Sequence, residues 1–197
     1  MVHYKPMQEI ELKVLDINKE SFITKLESIG ARRVGVFFIH DRTFDFDDER
    51  VRQKGDLFRL RVINGDVELV YKDDTKTGDG FREQTETQTG VTDLAAMETI
   101  LKKIGCRPVR DRQKIRTEYL LGKTKFEIDE FPDIPPYLEM EGSKESIVEA
   151  LKRLGYKKQN TTDMTATKVL ESYGVDPSTQ EFAAGDPRLR LVNKEFV

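Results

Sequence analysis

The sequence predicts an α+β protein in which one large antiparallel sheet or barrel is covered on its outside by helices. About eight segments alternate apolar and polar residues with the period of two that is typical of strands. About four others place apolar residues at helical spacing. Most neighbouring strands are separated only by short turns, as in antiparallel rather than parallel sheets. One domain over residues 1–174 and a C-terminal extension over residues 175–197 account for the chain.

The four helical segments carry recognisable end signals. Thr92 and Ser143 stand where the second and third helices need an N-cap. A glycine, the residue that most readily adopts the left-handed conformation after a helix, ends each of the four segments, at Gly30, Gly105, Gly155 and Gly174. The apolar stripes of these helices are wide enough to cover one face of a sheet.

Two tight turns indicate how neighbouring strands pair. Asn64-Gly65 lies between LFRLRVI and VELVYKD, which is a strong hairpin signal, and Gly122-Lys123 divides a second hairpin. The charged stretch DDERVRQKGD is predicted to be a turn, and DDTKTGDG a loop before the polar strand GFREQTETQT. Residues 175–197 are predicted to be a loosely attached extension.

Composition excludes several classes of protein. The 36 acidic and 33 basic residues leave a net charge of −3, which argues against a general nucleic-acid binder. One cysteine, Cys106, excludes an intramolecular disulfide and a cysteine-ligated zinc site, and suits a reducing cytoplasm. The sequence predicts neither a signal peptide nor a membrane span. With only His3 and His40 available, any metal would be held by oxygen atoms, which favours magnesium, manganese or calcium.

Charged residues share one face of nearly every predicted strand, opposite an apolar face. Acidic residues dominate this face on the first and last strands, and basic residues dominate it on the middle ones. The face is either solvent-exposed, as is common in sheets, or it lines the lumen of a closed sheet. Adjacent like charges on a strand are destabilising, which favours the lumen. A lumen of this kind would suit a polyanion with a divalent metal.

The order and spacing of these residues resemble the CYTH superfamily, the triphosphate tunnel metalloenzymes. The first strand carries the ExExK signature as Glu9-x-Glu11-x-Lys13. The further elements of the pattern follow in the expected order along the chain, as Arg59-x-Arg61, Lys72, Lys114-x-Arg116, Asp129 and Glu139-x-Glu141. The resemblance spans residues 3 to 174. It implies an eight-stranded antiparallel β-barrel, the triphosphate tunnel, with helices packed outside it.

The resemblance also implies roles for individual residues. The metal, Mg²⁺ or Mn²⁺, would be bound by Glu9, Glu11, Glu139, Glu141 and Asp129. The phosphate oxygens would be bound by Lys13, Arg59, Arg61, Lys72, Lys114 and Arg116, and within this set Lys13, Lys72 and Arg116 are the predicted catalytic residues. The expected partner is a small triphosphate, either ATP or an inorganic or other organic triphosphate, rather than nucleic acid or a membrane, and a homodimer is left open.

Other charged residues lie on the same strand faces as these predicted ligands, but the pattern indicates their roles less specifically. Gln84 and Gln88 flank Glu86 where the family carries a richer acidic pattern, which weakens a metal role for Glu86. The last helix also lacks the tyrosine that many relatives carry near Ala166. Charges at the tunnel mouth or partners of other charges are predicted at Arg82, Glu118, Lys125 and Glu127.

The residues fit two reactions. In a cyclase the ribose 3′-OH of ATP attacks the α-phosphorus, and in a triphosphatase water attacks the terminal phosphorus of inorganic, thiamine or nucleoside triphosphate. His3-Tyr4 stands six residues before Glu9, as in the HFxxxxExExK signature of class IV adenylyl cyclases, with Tyr4 in place of phenylalanine. This similarity favours the cyclase. A third class, a polyphosphate- or nucleotide-binding module, would have no use for four clustered carboxylates.

Overall fold

The computed structural model describes residues 7–192. Its strands are β1 (Met7–Val14), β2 (Arg32–Asp45), β3 (Leu57–Ile63), β4 (Asp66–Gly78), β5 (Phe81–Val91), β6 (Arg107–Leu121), β7 (Thr124–Glu130), β8 (Tyr137–Glu141) and β9 (Thr179–Gln180). Its α-helices are α1 (Lys19–Ser28), α2 (Arg50–Gln53), α3 (Leu94–Lys103), α4 (Lys144–Leu154), α5 (Ala166–Ser172) and α6 (Leu189–Val192). Within the described range, every helix is too short or too polar to span a bilayer.

The sheet closes on itself. Its strands are hydrogen-bonded in the order β2-β3-β4-β5-β1-β8-β7-β6, and a further antiparallel pairing between β2 and β6 completes the circle. The predicted eight-stranded antiparallel barrel is therefore confirmed. Closure leaves each of the eight strands paired on both sides, which removes the exposed edges of an open sheet. It also encloses the charged face of every strand.

Helices cover the apolar outer face of the barrel. α1 and α4 pack over β1, β7 and β8, where Leu26 and Leu151 meet Leu12, Phe126 and Leu138 in the largest buried cluster. A second cluster places α3 against β2 and β3. Because successive side chains of a strand point to opposite faces, burying the apolar set outside turns the charged set inward. The hydrophobic pattern therefore orients the site.

The helix ends agree with the predicted signals except at one cap. Ser143 caps α4 as predicted, and Gly30 and Gly155 adopt positive φ at the ends of α1 and α4. The prediction of Thr92 as the N-cap of α3 is wrong, because Asp93 caps it. The Asp93 carboxylate accepts a hydrogen bond from the backbone N–H of Ala96 at 2.9 Å. Asp is the better N-cap of the two neighbours.

Of the predicted connections, the hairpin at Asn64-Gly65 is confirmed, and the prediction of a loop at DDTKTGDG is wrong. Asn64 and Gly65 both have positive φ between β3 and β4, as a type I′ turn requires. The predicted loop DDTKTGDG instead belongs mostly to β4, which continues to Gly78 and leaves Asp79 and Gly80 as the turn. A register shift between β4 and β5 accommodates the polar residues in this stretch. The charged turn before β3 contains the short helix α2.

The segment after residue 174 is packed rather than loosely attached. β9 adds in parallel to β6 beyond the region that β7 covers. Phe182 and Val192 are buried against Val36 and Ile115, and the Arg188 guanidinium donates to the backbone carbonyl of Phe131 at 3.0 Å. Apolar residues spaced along this segment cover the outer face of β2 and β6. The domain boundary at residue 174 itself stays a prediction.

Candidate functional site: a charged tunnel

A cavity of about 960 Å³ fills the lumen of the barrel. The residues that line it include ten of the eleven predicted metal and phosphate ligands, which are Glu9, Glu11, Lys13, Arg59, Arg61, Lys72, Lys114, Arg116, Glu139 and Glu141. The eleventh, Asp129, is completely buried behind them. The charged strand faces thus meet inside the molecule rather than facing bulk water.

Four glutamates form a cluster on two adjacent strands. Glu9 and Glu11 come from β1, and Glu139 and Glu141 from β8, with Glu11 directly opposite Glu141. One carboxylate oxygen from each lies within 4.8 Å of the others. Burial and the nearby Glu9 charge raise the pKa of Glu141. An all-oxygen donor set with this excess of negative charge fits Mg²⁺ or Mn²⁺, which these four residues would hold.

Two lysines contact this glutamate cluster. Lys13 Nζ lies 2.7 Å from both Glu11 Oε1 and Glu139 Oε2. Burial opposes its charge, but the two carboxylates outweigh burial and hold the pKa of Lys13 well above its usual value. Lys72 pairs with Glu9 and, at 2.8 Å, with Glu86. Both lysines therefore stay protonated and stand beside the position where a metal ion would bind.

Asp129 lies with the cations rather than with the four glutamates. It accepts hydrogen bonds from Lys114 Nζ at 2.7 Å and from two nitrogens of Arg116 at 2.7 Å each. The register of the sheet explains this position, because Asp129 is directly opposite Arg116 across β6 and β7. In this arrangement Asp129 fixes two predicted phosphate ligands in place, and it stands outside the cluster that could hold a metal.

Asp41 plays the same part for the other arginine pair and was not predicted from the sequence. Arg61 donates to both Asp41 oxygens, at 2.7 and 2.9 Å, whereas Arg59 approaches Asp41 only to 3.7 Å. Burial opposes the charge of this carboxylate, but the two guanidinium groups hold the pKa of Asp41 well below its usual range. Ile39 lies on the same inner face of β2 as Asp41. Because this neighbour is apolar, the inner face of β2 does not show the run of charged residues that identifies the inner face of the other strands.

The lumen is also lined by the four residues that were predicted as mouth charges or partners of other charges, Arg82, Glu118, Lys125 and Glu127. Lys125 Nζ contacts Glu141 at 2.7 Å, and Glu127 pairs with Arg116. Glu127 is only 2% exposed, so it is a buried partner and not a mouth residue. Burial, with Glu141 adding to it, raises the pKa of Glu127 to about 8. Arg82 donates to Gln84 Oε1 at 2.9 Å, and Glu118 lines the lumen.

Two further arginines extend the cationic face of β6. Arg110 and Arg112 have the same phase as Lys114 and Arg116, and all four line the cavity. Continuing the alternation of β6 toward its N-terminus could have found them. Tyr137 is a further unpredicted feature, since its buried hydroxyl has no hydrogen-bond partner among the described residues. The ring packs in a cluster that includes residues of α5.

The remaining sequence candidates lie elsewhere. His3 and Tyr4, which carried the similarity to class IV adenylyl cyclases, fall outside the described residues. His40 pairs with Asp111, and neither residue lines the lumen cavity. Cys106 is a free, buried thiol in the cluster beneath α3. Neither His40 nor Cys106 stands near the four glutamates.

The comparisons with known proteins agree with this geometry. The sequence model of the CYTH domain matches residues 7–173, and the chain belongs to the CYTH domain family. A Methanocaldococcus jannaschii protein, provisionally named an adenylate cyclase, is 27% identical over 164 residues, which cover 78% of this chain and 93% of that protein.

Two solved structures share the fold at low identity. A Vibrio parahaemolyticus protein, also provisionally named an adenylate cyclase, has a TM-score of 0.73 at 17% identity, over 85% of this chain and 99% of that one. A Hippeastrum protein described as a provisional adenylyl cyclase with a dominant triphosphatase activity has a TM-score of 0.64 at 13% identity, over 87% of this chain and 97% of that one. The barrel of this chain is therefore the CYTH tunnel fold.

Proposed function

We propose that the tunnel binds ATP together with Mg²⁺ or Mn²⁺ and converts it to cyclic AMP and pyrophosphate, the class IV adenylyl cyclase reaction. The observation that carries the metal-triphosphate part is the enclosure of four clustered glutamates next to a continuous set of lysines and arginines. The adenylate cyclase name of the Methanocaldococcus relative supports the choice of reaction. The chain would act on a small molecule in the cytoplasm.

In this proposal the cations bind and orient the phosphate chain. Arg116 and Lys114 are held by Asp129, and Arg61 is held by Asp41, so these side chains are in place before the ligand arrives. Fixed donors aimed at phosphoryl oxygens stabilise the charge that develops there without reorganising during the reaction. The enclosed lumen strengthens each of these interactions relative to bulk water.

The cluster of Glu9, Glu11, Glu139 and Glu141 would hold the metal ion, which supplies Lewis-acid stabilisation of phosphoryl oxygens when bound. Lys13 and Lys72, which contact the same glutamates, would orient the phosphate oxygens beside it. In the chemical step the ribose 3′-oxygen forms a bond to the α-phosphorus. The bond from that phosphorus to the bridging oxygen breaks, pyrophosphate leaves, and the hydroxyl proton passes to solvent.

A second candidate is hydrolysis of the terminal phosphate of an inorganic, thiamine or nucleoside triphosphate. The Hippeastrum protein favours it, because that fold neighbour carries a dominant triphosphatase activity. The same glutamates and cations would serve this reaction, with water in place of the ribose hydroxyl. The two reactions differ in which phosphorus is attacked.

One assay distinguishes the two reactions by their products. The purified chain is incubated with Mg²⁺ or Mn²⁺ and either ATP or inorganic triphosphate, and the products are resolved by ion-exchange chromatography. Equal amounts of cyclic AMP and pyrophosphate from ATP support the cyclase. Orthophosphate from triphosphate without cyclic AMP supports the triphosphatase and contradicts the cyclase. Tight binding without turnover of either compound contradicts both and supports a binding module.

A further inference from the structure

One rim of the tunnel has an apolar inner wall. Phe37 and Ile39 on β2 and Ile63 on β3 line the lumen cavity. Ile39 lies directly opposite Ile63, and Phe37 is on the same face of β2, nearer the rim at which β2 begins. Among residues 7–192, none of the three belongs to the apolar clusters that pack the helices and the C-terminal segment onto the barrel. Phosphate oxygens gain nothing from an apolar wall, so these side chains indicate a different part of a ligand.

Phe37 differs from the other aromatic residue of the lumen. The rings that line the cavity are Phe37 and Phe131. Phe131 is only 2% exposed, stacks on Tyr137 with ring centroids 6.2 Å apart, and lies 5.9 Å from Lys114 Nζ. Phe37 is half-buried, and in the described part of the chain its ring contacts no other ring. Phe37 is therefore the ring that a ligand in the lumen could stack on.

Gly35 leaves room for the Phe37 ring. A Cβ atom at residue 35 would lie 2.9 Å from Phe37 Cζ, closer than such atoms approach in proteins. Gly35 is not among the glycines with positive φ, so the backbone conformation does not require glycine here. A glycine inside a strand often marks a close approach. At this position the approaching group is the Phe37 ring, which leans over Gly35 toward the rim.

The directions of the strands place this apolar wall at the glutamate end of the tunnel. Neighbouring strands of the barrel are antiparallel, so β1 and β2 begin at the same rim, where β8 ends. Glu9 near the start of β1 and Glu141 at the end of β8 therefore lie toward the rim of Phe37. Arg59, near the start of β3, lies toward the opposite rim. A phosphate chain that runs from the glutamates to Arg59 has its first phosphate on the side of Phe37.

Charged side chains of both signs also line this rim. Besides the glutamate cluster they include two acids, Glu68 and Glu118, and two bases, Lys123 and Lys125. With both signs present, the rim selects neither a further phosphate nor a cation. A neutral heteroaromatic group suits this mixture, because its faces pack on apolar side chains and its edges form hydrogen bonds with polar ones.

We propose that Phe37, Ile39 and Ile63 form the binding position for the base of a nucleoside triphosphate at the glutamate rim of the tunnel. This rests on the proposed function, since the base is attached to the phosphate chain that the tunnel binds. In this orientation the α-phosphate lies beside the four glutamates and the terminal phosphate lies toward Arg59. The glutamates then neighbour the phosphorus that a cyclase attacks, so the apolar wall favours cyclisation over hydrolysis of the terminal phosphate.

The test uses two ligands that differ only in the base. They are the 5′-diimidotriphosphates of adenosine and of methyl riboside, in which NH groups replace both bridging oxygens so that neither reaction consumes them. Calorimetric titration in the presence of Mn²⁺ measures both affinities. The wild-type protein should bind the adenosine ligand about tenfold more tightly, which is within the range for one stacked base. Phe37→Ala should bring this ratio close to one while leaving the affinity for the base-free ligand nearly unchanged.

Two further variants keep the result specific. Phe37→Tyr retains the aromatic ring and should retain the ratio. Gly35→Ala leaves Phe37 in the chain but places a Cβ atom against its ring, so it should lower the ratio by displacing the ring.

Three results would overturn the proposal. The first is equal affinity of the wild-type protein for the two ligands. The second is a tenfold ratio that persists in Phe37→Ala, because the base would then bind elsewhere, and the third is an equal loss of both ligands in that variant. If the base-free ligand itself does not bind to the wild-type protein, the proposed function is contradicted, and the base position is contradicted with it.

Discussion

The two ends of the tunnel contrast in charge and in how that charge is compensated. At one end four glutamates form a cluster, and burial together with the Glu9 charge raises the pKa of Glu141. At the other end burial lowers the pKa values of Arg110 and Arg112, and a neighbouring arginine adds to each shift. Between them, Asp41 and Asp129 hold arginines in balanced pairs. A metal ion bound by the four glutamates would compensate the charge at the first end.

This arrangement teaches how a folded barrel can contain so many charges. Each balanced pair offsets its own desolvation through close, bidentate geometry. In the proposed function, the metal ion and the phosphate chain would compensate the charges that have no such pair. The cost of leaving charges unpaired would thus be concentrated at the positions proposed to contact the ligand.

The largest effect is expected at the acidic end. Glu11→Gln keeps the size of the side chain but removes one carboxylate from the metal-binding cluster. Metal-dependent turnover should fall by about 100-fold or more, the scale of losing one electrostatic contribution to the transition state. Initial rates over a Mn²⁺ titration measure this. Glu145→Gln, on the exposed first turn of α4, is the matched control, and full activity of Glu11→Gln would contradict the metal assignment.

A large loss of stability is expected when the Asp129 carboxylate, which pairs with cations between the two ends of the tunnel, is removed. Asp129→Asn leaves Lys114 and Arg116 buried without their shared carboxylate. Breaking a buried pair from one side costs about 3–5 kcal/mol, so the free energy of unfolding in urea should fall by that amount. Asp66→Asn, at an exposed position of β4, should change it little. A variant as stable as wild type would show that Asp129 does not compensate the two cations.

The Asp41 pair predicts a pH dependence with a definite sign. The pKa of Asp41 is lowered in the folded chain by Arg61 and Arg59, so its stabilisation is complete above the ordinary pKa of an aspartate, about 4. It is lost as the pH falls further toward the folded pKa. Asp41→Asn should therefore be less stable than wild type by roughly 2 kcal/mol at pH 7. The gap should narrow below about pH 4, and a gap that widens on acidification contradicts this.

A smaller effect, on triphosphate affinity, is expected from replacing Arg59. Arg59→Ala removes a buried guanidinium that lies 3.7 Å from the Asp41 carboxylate. Triphosphate affinity should weaken about tenfold, equivalent to one charge-assisted hydrogen bond. Calorimetric titration measures this, with the exposed Arg32→Ala as control. Unchanged affinity would remove Arg59 from the phosphate ligands.

Much of the fold could be predicted from the sequence, because the strands bury an apolar face and repeat a charged one. That regularity predicted an antiparallel sheet or barrel. The resemblance to the CYTH superfamily predicted the closed barrel and the eleven ligand candidates, ten of which line one cavity. It could not identify Asp41, which shares its face with apolar residues, nor the partners of Asp129, which depend on the register of β6 and β7. Register and closure are set by long-range pairing that no local pattern contains.

The packing of the C-terminal segment also could not be predicted from the local sequence. Its sparse apolar residues predict a loose extension, yet Phe182 and Val192 find a complementary surface on β2 and β6. Its contact with Arg112 passes through the backbone carbonyl of Pro177, and a backbone acceptor leaves no signature in the sequence. Tertiary packing alone therefore connects this segment to the tunnel.

The central claim is that one metal ion and one triphosphate occupy the tunnel between its acidic and arginine ends. Crystals grown with Mn²⁺ and inorganic triphosphate test it directly through the anomalous scattering of manganese. We expect an anomalous peak among the carboxylates of Glu9, Glu11, Glu139 and Glu141, with phosphate density running from it toward Lys114 and Arg59. A manganese peak elsewhere, or triphosphate bound outside the lumen, would contradict the account.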